Sequence, residues 1–147
     1  MISLLYNPDQ KRQIIMKHYT NPQYKTLSVD EKHIEKFGES CSDYLNFTYE
    51  IVDKKIKNLR FAGNGCAFFL ASTDILCGKI NDKEINETLN FIDVYEKLIL
   101  GEEALSNEEQ ELLEELMVFD NVKTHYNRVN CCLMLVRPLK NALKNVK

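Results

Sequence analysis

Features typical of several other protein classes are missing from this sequence of 147 residues. It has no Cys-x-x-Cys, which is the spacing of an ordinary zinc finger. Acidic residues (22) outnumber basic ones (19), which argues against a nucleic-acid-binding surface. No apolar run approaches the roughly 20 residues that span a bilayer, and the first residues lack the basic start of a signal peptide. We therefore expect a cytoplasmic protein with no membrane or nucleic-acid partner.

Five cysteines stand at positions 41, 66, 77, 131 and 132. Their odd number and wide spacing argue against a disulfide framework. Thiols kept reduced are core residues, metal ligands or nucleophiles. The composition, 44% hydrophobic and 28% charged, is that of a globular protein, so we expect a single domain over residues 1–147.

The beginning of the chain predicts a helix with defined ends. Asn7 and Pro8 have the residue types of an N-cap and a first helical position, and Asn21 followed by proline stops the helix. His18 lies on this helix, where we expect it to pack rather than to bind a ligand.

A β-hairpin is predicted in the next part of the chain. Apolar residues alternate with polar ones over 45–51, which indicates a half-buried strand. Residues 53–55 form a polar turn, and 56–62 form the returning strand. A further short strand is expected over 33–37.

Apolar periodicity and capping residues predict helices for the rest of the chain. These are a helix over 66–77 with Gly78 as its C-cap, a helix that starts at the capping signature Asn81-Asp82-Lys83-Glu84, and a short acidic helix beginning after Ser106. The last helix is expected over 123–145, with a kink at Pro138. The order of elements predicts an α+β fold, a small three-stranded antiparallel sheet with helices packed on one face.

The hairpin brings chemistry-bearing residues together. Glycines in Gly63-Asn64-Gly65 permit positive φ and close backbone approach just before Cys66. Cys41 precedes the first strand of the hairpin and Cys66 follows the second, so the two become neighbours. Asp43 is two residues from Cys41 and points to the same side, and Cys131 would come from the last helix. Such a set can complete a tetrahedral zinc site, while buried structural thiols are the alternative that the spacing leaves open.

Four motifs in order resemble those of the U-type iron–sulfur cluster assembly proteins (SufU, IscU and the NifU N-terminal domain). They are Met16-Lys17-His18-Tyr19-Thr20-Asn21-Pro22, Cys41-Ser42-Asp43, Gly63-Asn64-Gly65-Cys66-Ala67 and Arg128-Val129-Asn130-Cys131. The resemblance implies a SufU/IscU-like fold. The long segment over 101–122 looks like the insertion of the zinc-dependent SufU branch.

The resemblance also implies a site and a reaction. Zinc is expected on Cys41, Asp43, Cys66 and Cys131. A pyridoxal-phosphate-dependent cysteine desulfurase of the SufS kind is the expected sulfur donor, and iron–sulfur assembly or acceptor proteins are the downstream partners. In the family mechanism a partner histidine displaces the Cys41 thiolate from zinc, which frees it to attack the persulfide. Arg128 is expected to steady thiolate charge at the site, with a surface ion pair as the alternative.

A sulfurtransferase-like relay is therefore the first functional hypothesis. The second is a scaffold that assembles and transfers a [2Fe–2S] cluster on Cys41, Cys66 and Cys131, because thiolates suit iron as well as zinc. The third is a metal-free interaction module with buried thiols.

Three positions depart from the family pattern. Ser42 replaces a glycine, and Asn130 replaces a lysine beside Cys131. Cys132 is an additional thiol whose side chain should point about 100° away from that of Cys131 on a helix. We expect Cys132, like Cys77, to be a core residue.

Overall fold

A computed structural model of the chain describes residues 6–27, 33–38 and 43–145. Within them lie three strands, six α-helices and two short 3₁₀ helices. In chain order they are α1 (Pro8–Thr20), β1 (Ile34–Phe37), β2 (Tyr44–Val52), β3 (Lys55–Asn64), α2 (Ala67–Ile80), α3 (Ile85–Leu100), α4 (Asn107–Leu113), the 3₁₀ helices Glu114–Phe119 and Val122–Thr124, α5 (Tyr126–Cys132) and α6 (Val136–Lys144). The predicted order of elements is confirmed.

The sheet is antiparallel, in the order β1-β2-β3. Asp53 and Lys54 form the turn of the β2–β3 hairpin, with φ of 54° and 66°. A two-residue turn with both φ values positive matches the twist of the strands it joins. The turn was predicted, and the α+β class with a three-stranded antiparallel sheet is confirmed.

The predicted alternation along β2 holds only for its first half. Leu45 and Phe47 are buried, but the register between β2 and β3 shifts between Thr48 and Glu50. The extra residue of this bulge lies on β3, where Asn58 and Leu59 face the single residue Tyr49 of β2, and Asn58 has φ 58°. On β2 itself Thr48 is buried next to Phe47, while Ile51, predicted on the core side, is exposed.

Helix α1 begins as predicted and is tied to α2 by a buried carboxylate. Asn7 and Gln10 form a reciprocal capping box at its start. Near its end, Nδ1 of His18 lies 2.7 Å from Oδ2 of Asp74, whose side chain is fully buried. Oδ1 of Asp74 accepts the backbone N–H groups of residues 23 and 24, each at 2.8 Å. His18 packs within this network, as predicted.

Two predicted boundaries around α2 are wrong. The helix continues through Gly78, which faces the ring of Tyr24 so closely that a Cβ would lie 3.1 Å from it. Asn81 ends α2 instead of starting α3, because its side-chain amide is held by the backbone of Leu59 through bonds of 2.7 and 3.1 Å. The N-cap of α3 is Glu84.

The second half of the segment over 101–124 is part of the core. Gly101 ends α3 with φ 68°, and Ser106 forms the predicted capping box with Glu109 at the start of α4. After α4 the chain tightens into 3₁₀ turns that bury a set of apolar side chains: Leu113, Leu116, Met117, Val118, Phe119 and Val122. The segment therefore contributes to the packing of α1, α2 and α3.

The last predicted helix is two helices. Helix α5 ends at Cys132 and α6 begins at Val136. Pro138 provides no N–H, and its ring crowds the carbonyl of the residue four positions earlier, Met134. The helix is therefore interrupted before Pro138, and the predicted kink at the proline is wrong.

No helix in the described ranges is long and apolar enough to cross a membrane.

The Asp74 network makes a stability prediction. Asp74→Ala removes a buried acceptor from two backbone N–H groups and from His18, so we expect it to lower the free energy of unfolding by about 3 kcal/mol. Urea denaturation at pH 7 measures this loss. Asp74→Asn keeps an acceptor of the same shape and should cost less, and exposed Glu111→Ala should stay within about 0.5 kcal/mol of the wild type. A loss below 1 kcal/mol for Asp74→Ala would contradict the role given to this carboxylate.

Candidate metal centre

Three of the four predicted ligands meet at one point of the fold. Asp43 precedes β2, Cys66 is the N-cap of α2, and Cys131 lies on α5. One ligand atom from each lies within 4.8 Å of the other two. The two sulfurs are 3.3 Å apart, and Sγ of Cys66 is 3.9 Å from Oδ2 of Asp43. Cys41 and Ser42 lie outside the described residues.

The two glycines before Cys66 make room for this arrangement. Gly63 has φ +154°, and a Cβ there would overlap the carbonyl oxygen of Tyr44 on the paired strand. A Cβ on Gly65 would overlap the carboxylate of Asp43 and the ring of Phe69. The expectation of positive φ and close approach is confirmed at Gly63, and Gly65 supplies close approach alone.

Asp43 is a buried carboxylate with a defined orientation. Its Oδ1 accepts the backbone N–H of Cys66 at 3.0 Å, and its side chain belongs to a residue that is 4% exposed. In the described part of the chain no Lys, Arg or His pairs with it. Buried charges in proteins are generally paired with an opposite charge or coordinate a metal ion. The site therefore has the electrostatic character of a cation site.

The thiol of Cys66 is exposed and acidic. Its pKa is lowered from 9.0 to about 7, first by a hydrogen bond with the Cys131 thiol and also by backbone N–H groups in the first turn of α2. Burial and the charge of Asp43 act in the opposite direction. A substantial fraction of Cys66 is therefore thiolate near neutral pH, which is the form that binds metals.

The three donors fit a tetrahedral zinc ion. At the usual bond lengths, two thiolates on one zinc lie roughly 3.8 Å apart, and a thiolate and a carboxylate oxygen roughly 3.6 Å apart. The observed distances of 3.3 and 3.9 Å differ from these by about half an ångström or less. The third pair, Cys131 and Asp43, lies within 4.8 Å, so these residues could hold the ion and a fourth donor would complete its coordination.

Arg128 packs against Phe68, a contact that the sequence did not predict. Its guanidinium lies over the ring of Phe68, 4.4 Å from the ring centroid, and Phe68 in turn packs edge-on against Phe119. Phe68 was not singled out from the sequence, although its position two residues after Cys66 was a signal. That Arg128 steadies thiolate charge stays a prediction.

The other two cysteines are core residues, as predicted. Burial raises the pKa of Cys77 and of Cys132 well above that of an ordinary thiol. The carbonyl of Cys132 accepts the hydroxyl of buried Tyr95 at 2.8 Å. Asn130, next to Cys131, is buried as well, and its side-chain oxygen accepts an N–H of Arg137 at 3.2 Å.

Comparison with known proteins agrees with this geometry. The sequence profile of the NifU-like N-terminal domain matches residues 10–131. The chain is 24% identical over 131 residues to the iron–sulfur cluster assembly scaffold protein IscU of Streptococcus pyogenes, covering 89% of this chain and 80% of that protein. It is 27% identical over 92 residues to the zinc-dependent sulfurtransferase SufU of Bacillus subtilis, covering 63% of each.

A solved structure extends the similarity to the whole fold. It is described as a putative iron–sulfur cluster assembly scaffold protein for the SUF system, from Fervidobacterium islandicum. The two chains align with a TM-score of 0.75 and 27% identity, over 94% of this chain and 96% of that one. The relatives thus carry both scaffold and sulfurtransferase names, and the branch within the family stays open.

Gly65 gives a direct test of the site. Gly65→Ala places a methyl group where the Asp43 carboxylate lies, so we expect the affinity for zinc to fall by about 10- to 100-fold, as when a group supporting a metal ligand is disturbed. Competition with a chromophoric chelator measures the affinity. Gly78→Ala, in the same region of chain but away from the site, is the control and should leave zinc affinity unchanged. Equal affinities for both variants would contradict the proposed position of Asp43.

Thiol reactivity gives a second test. In the metal-stripped protein, we expect iodoacetamide to modify Cys66 at a rate that rises through about pH 7, because the thiolate is the reactive form. Cys77 and Cys132 should be modified only after unfolding. Peptide mapping by mass spectrometry identifies the modified residues, and the urea-unfolded protein is the control. Rapid labelling of Cys132 in the folded protein would contradict its assignment to the core.

Proposed function

This chain belongs to the NifU-like N-terminal domain family of iron–sulfur cluster assembly proteins, and from that premise we propose that it is a zinc-binding sulfur acceptor. In this role it takes persulfide sulfur from a pyridoxal-phosphate-dependent cysteine desulfurase through Cys41 and passes it to downstream assembly or acceptor proteins. We place it in a reducing, cytoplasmic setting, which keeps cysteines as thiols. The observation that carries the proposal is the convergence of Asp43, Cys66 and Cys131 within 4.8 Å.

The chain's own residues account for metal retention. Asp43, Cys66 and Cys131 supply one carboxylate oxygen and two sulfurs, and Cys41, two residues before Asp43, is the proposed fourth donor. Mixed sulfur and oxygen ligands suit zinc, which takes both in tetrahedral sites. When bound, zinc keeps its thiol ligands deprotonated at neutral pH. The low pKa of Cys66 favours the same charge state.

The proposed transfer is a thiol–persulfide exchange. The Cys41 thiolate attacks the outer sulfur of the donor's cysteine persulfide, and a new S–S bond forms on Cys41. The S–S bond of the donor breaks, and its cysteine leaves as a thiolate that takes up a proton. Sulfur moves without net oxidation or reduction, so no further reagent is needed. Arg128 is proposed to favour the anionic sulfurs during this exchange.

Cluster assembly is the second candidate function. Its support is that the relative named as the IscU scaffold matches 131 residues of the chain, against 92 for the relative named as the SufU sulfurtransferase. The same thiolates are suitable ligands for a [2Fe–2S] cluster. In that role Cys41, Cys66 and Cys131 would hold the cluster until its transfer.

Metal content and desulfurase activation test the first function. We expect about one zinc per chain in freshly purified protein, and an increase in the activity of a purified SufS-type desulfurase when the protein is added. Cys41→Ala should abolish the increase, because it removes the accepting thiol. Cys77→Ala, which removes a buried thiol away from the site, should retain it. Normal activation by Cys41→Ala would refute the relay.

Anaerobic reconstitution separates the two functions. Incubation with iron and sulfide should leave zinc in a relay protein, as measured by elemental analysis. A stable, stoichiometric cluster with [2Fe–2S] absorption would instead support the scaffold function.

A further inference from the structure

A groove of about 400 Å³ opens beside the metal centre. It lies between the first half of α1, the start of α2, α5 and the 3₁₀ region that follows α4. Its apolar surface includes Met16, which is 42% exposed, together with Ala67 and Phe68, the two residues that follow Cys66. A molecule in this groove would therefore touch the segment that holds the metal ligand.

The charge of this groove is opposite to that of the protein as a whole. The chain carries a net charge of -3, yet Lys11, Arg12 and Arg128 line the groove and no acidic side chain is found among its described lining residues. Lys11 is already paired with Asp120 at 2.6 Å. Arg12 has only a loose contact of 3.9 Å with Asp9, and both side chains are at least three-quarters exposed. We call this surface, with Met16 and Phe68 as its apolar part, the basic groove.

The guanidinium of Arg128 is held in an orientation that suits an anionic partner. The face of its guanidinium is held against the ring of Phe68, while no carboxylate in the described ranges pairs with it. A stacked guanidinium keeps its N–H groups at the edge of the plane, where they bind a carboxylate in a bidentate manner. Because stacking fixes the group in advance, less conformational entropy is lost on binding.

We propose that the basic groove docks an acidic segment of the desulfurase that donates sulfur, with an apolar side chain of that segment against Met16 and Phe68. The inference rests on the proposed function and names the surface through which the donor is held. Charge complementarity selects an acidic occupant, and the position of Phe68 two residues after Cys66 brings that occupant to the metal centre. A second copy of this chain and a free anion are the competing occupants.

Charge reversal at Arg12 tests the docking surface without altering the metal ligands or Arg128. We expect Arg12→Glu to weaken binding of a purified SufS-type desulfurase by about tenfold in biolayer interferometry. The concentration of this protein needed for half-maximal desulfurase activation should rise by a similar factor, with unchanged activity at saturation and unchanged zinc content. Lys17→Glu makes the same charge change on an exposed position of α1 outside the groove and is the matched control.

Salt and oligomeric state complete the test. Wild-type affinity should fall as NaCl is raised from 50 to 500 mM, and the fall should be smaller for Arg12→Glu, because an attractive charge of the contact is replaced by a repulsive one. If the wild type binds and activates the desulfurase but Arg12→Glu does so equally well, the docking proposal is wrong and the proposed function stands. If the wild type neither binds nor activates it, both are wrong.

Two further results would overturn the proposal. Light scattering could show that the wild type is a dimer and that Arg12→Glu dissociates it at unchanged desulfurase affinity, which would assign the groove to a second copy. Millimolar phosphate alone could compete with desulfurase binding, which would assign the groove to a free anion.

Discussion

The buried carboxylate of Asp43 accepts a hydrogen bond from a backbone amide and also lies close to two thiols. Its Oδ1 accepts the N–H of Cys66, and this bond fixes the start of α2 against the start of β2. The same bond directs Oδ2 towards the sulfur of Cys66. It exists only because Gly65 has no side chain and because the hairpin register places Tyr44 opposite Asn64. The geometry of the candidate metal centre is therefore a consequence of strand pairing.

Helix α2 connects the site to the other packed elements of the fold. Its first residues face the site, and Phe68 is held there by Arg128 on one side and by Phe119 on the other. Near the middle of the helix, the buried Asp74 binds the end of α1 and the chain that follows it. The segment after α3 contributes Phe119 to this packing, so a region that looks like an insertion in the sequence supports the wall of the site. The buried Asp74 network and the candidate ligand Cys66 therefore depend on the same helix.

Local signals and long-range contacts differ in how far they could be predicted. The capping boxes at Asn7 and Ser106 marked helix starts correctly, because each involves residues three positions apart. Gly78 was a poor guide to the end of α2, since its smallness serves a contact with Tyr24, more than fifty residues earlier. Asn81 likewise resembled a helix start until its bonds with Leu59 placed it at a helix end. Gly and Asn each have more than one common structural role, and here a contact with a distant residue, which the periodicity of the sequence does not reveal, decides which role is taken.

The sequence by itself determined the order of elements, the hairpin and the identity of the candidate ligands Cys41, Asp43, Cys66 and Cys131. These follow from short-range patterns and from motifs whose residues are adjacent in the chain. Only the tertiary structure decided which groups touch: the oxygen of Asp43 on the amide of Cys66, the sulfur of Cys131 on that of Cys66, and Arg128 on Phe68. It also decided that Cys132 is buried beside Tyr95 while its neighbour Cys131 reaches the site. Such contacts join residues 23 to 65 positions apart, and they depend on how whole elements pack, which no local pattern specifies.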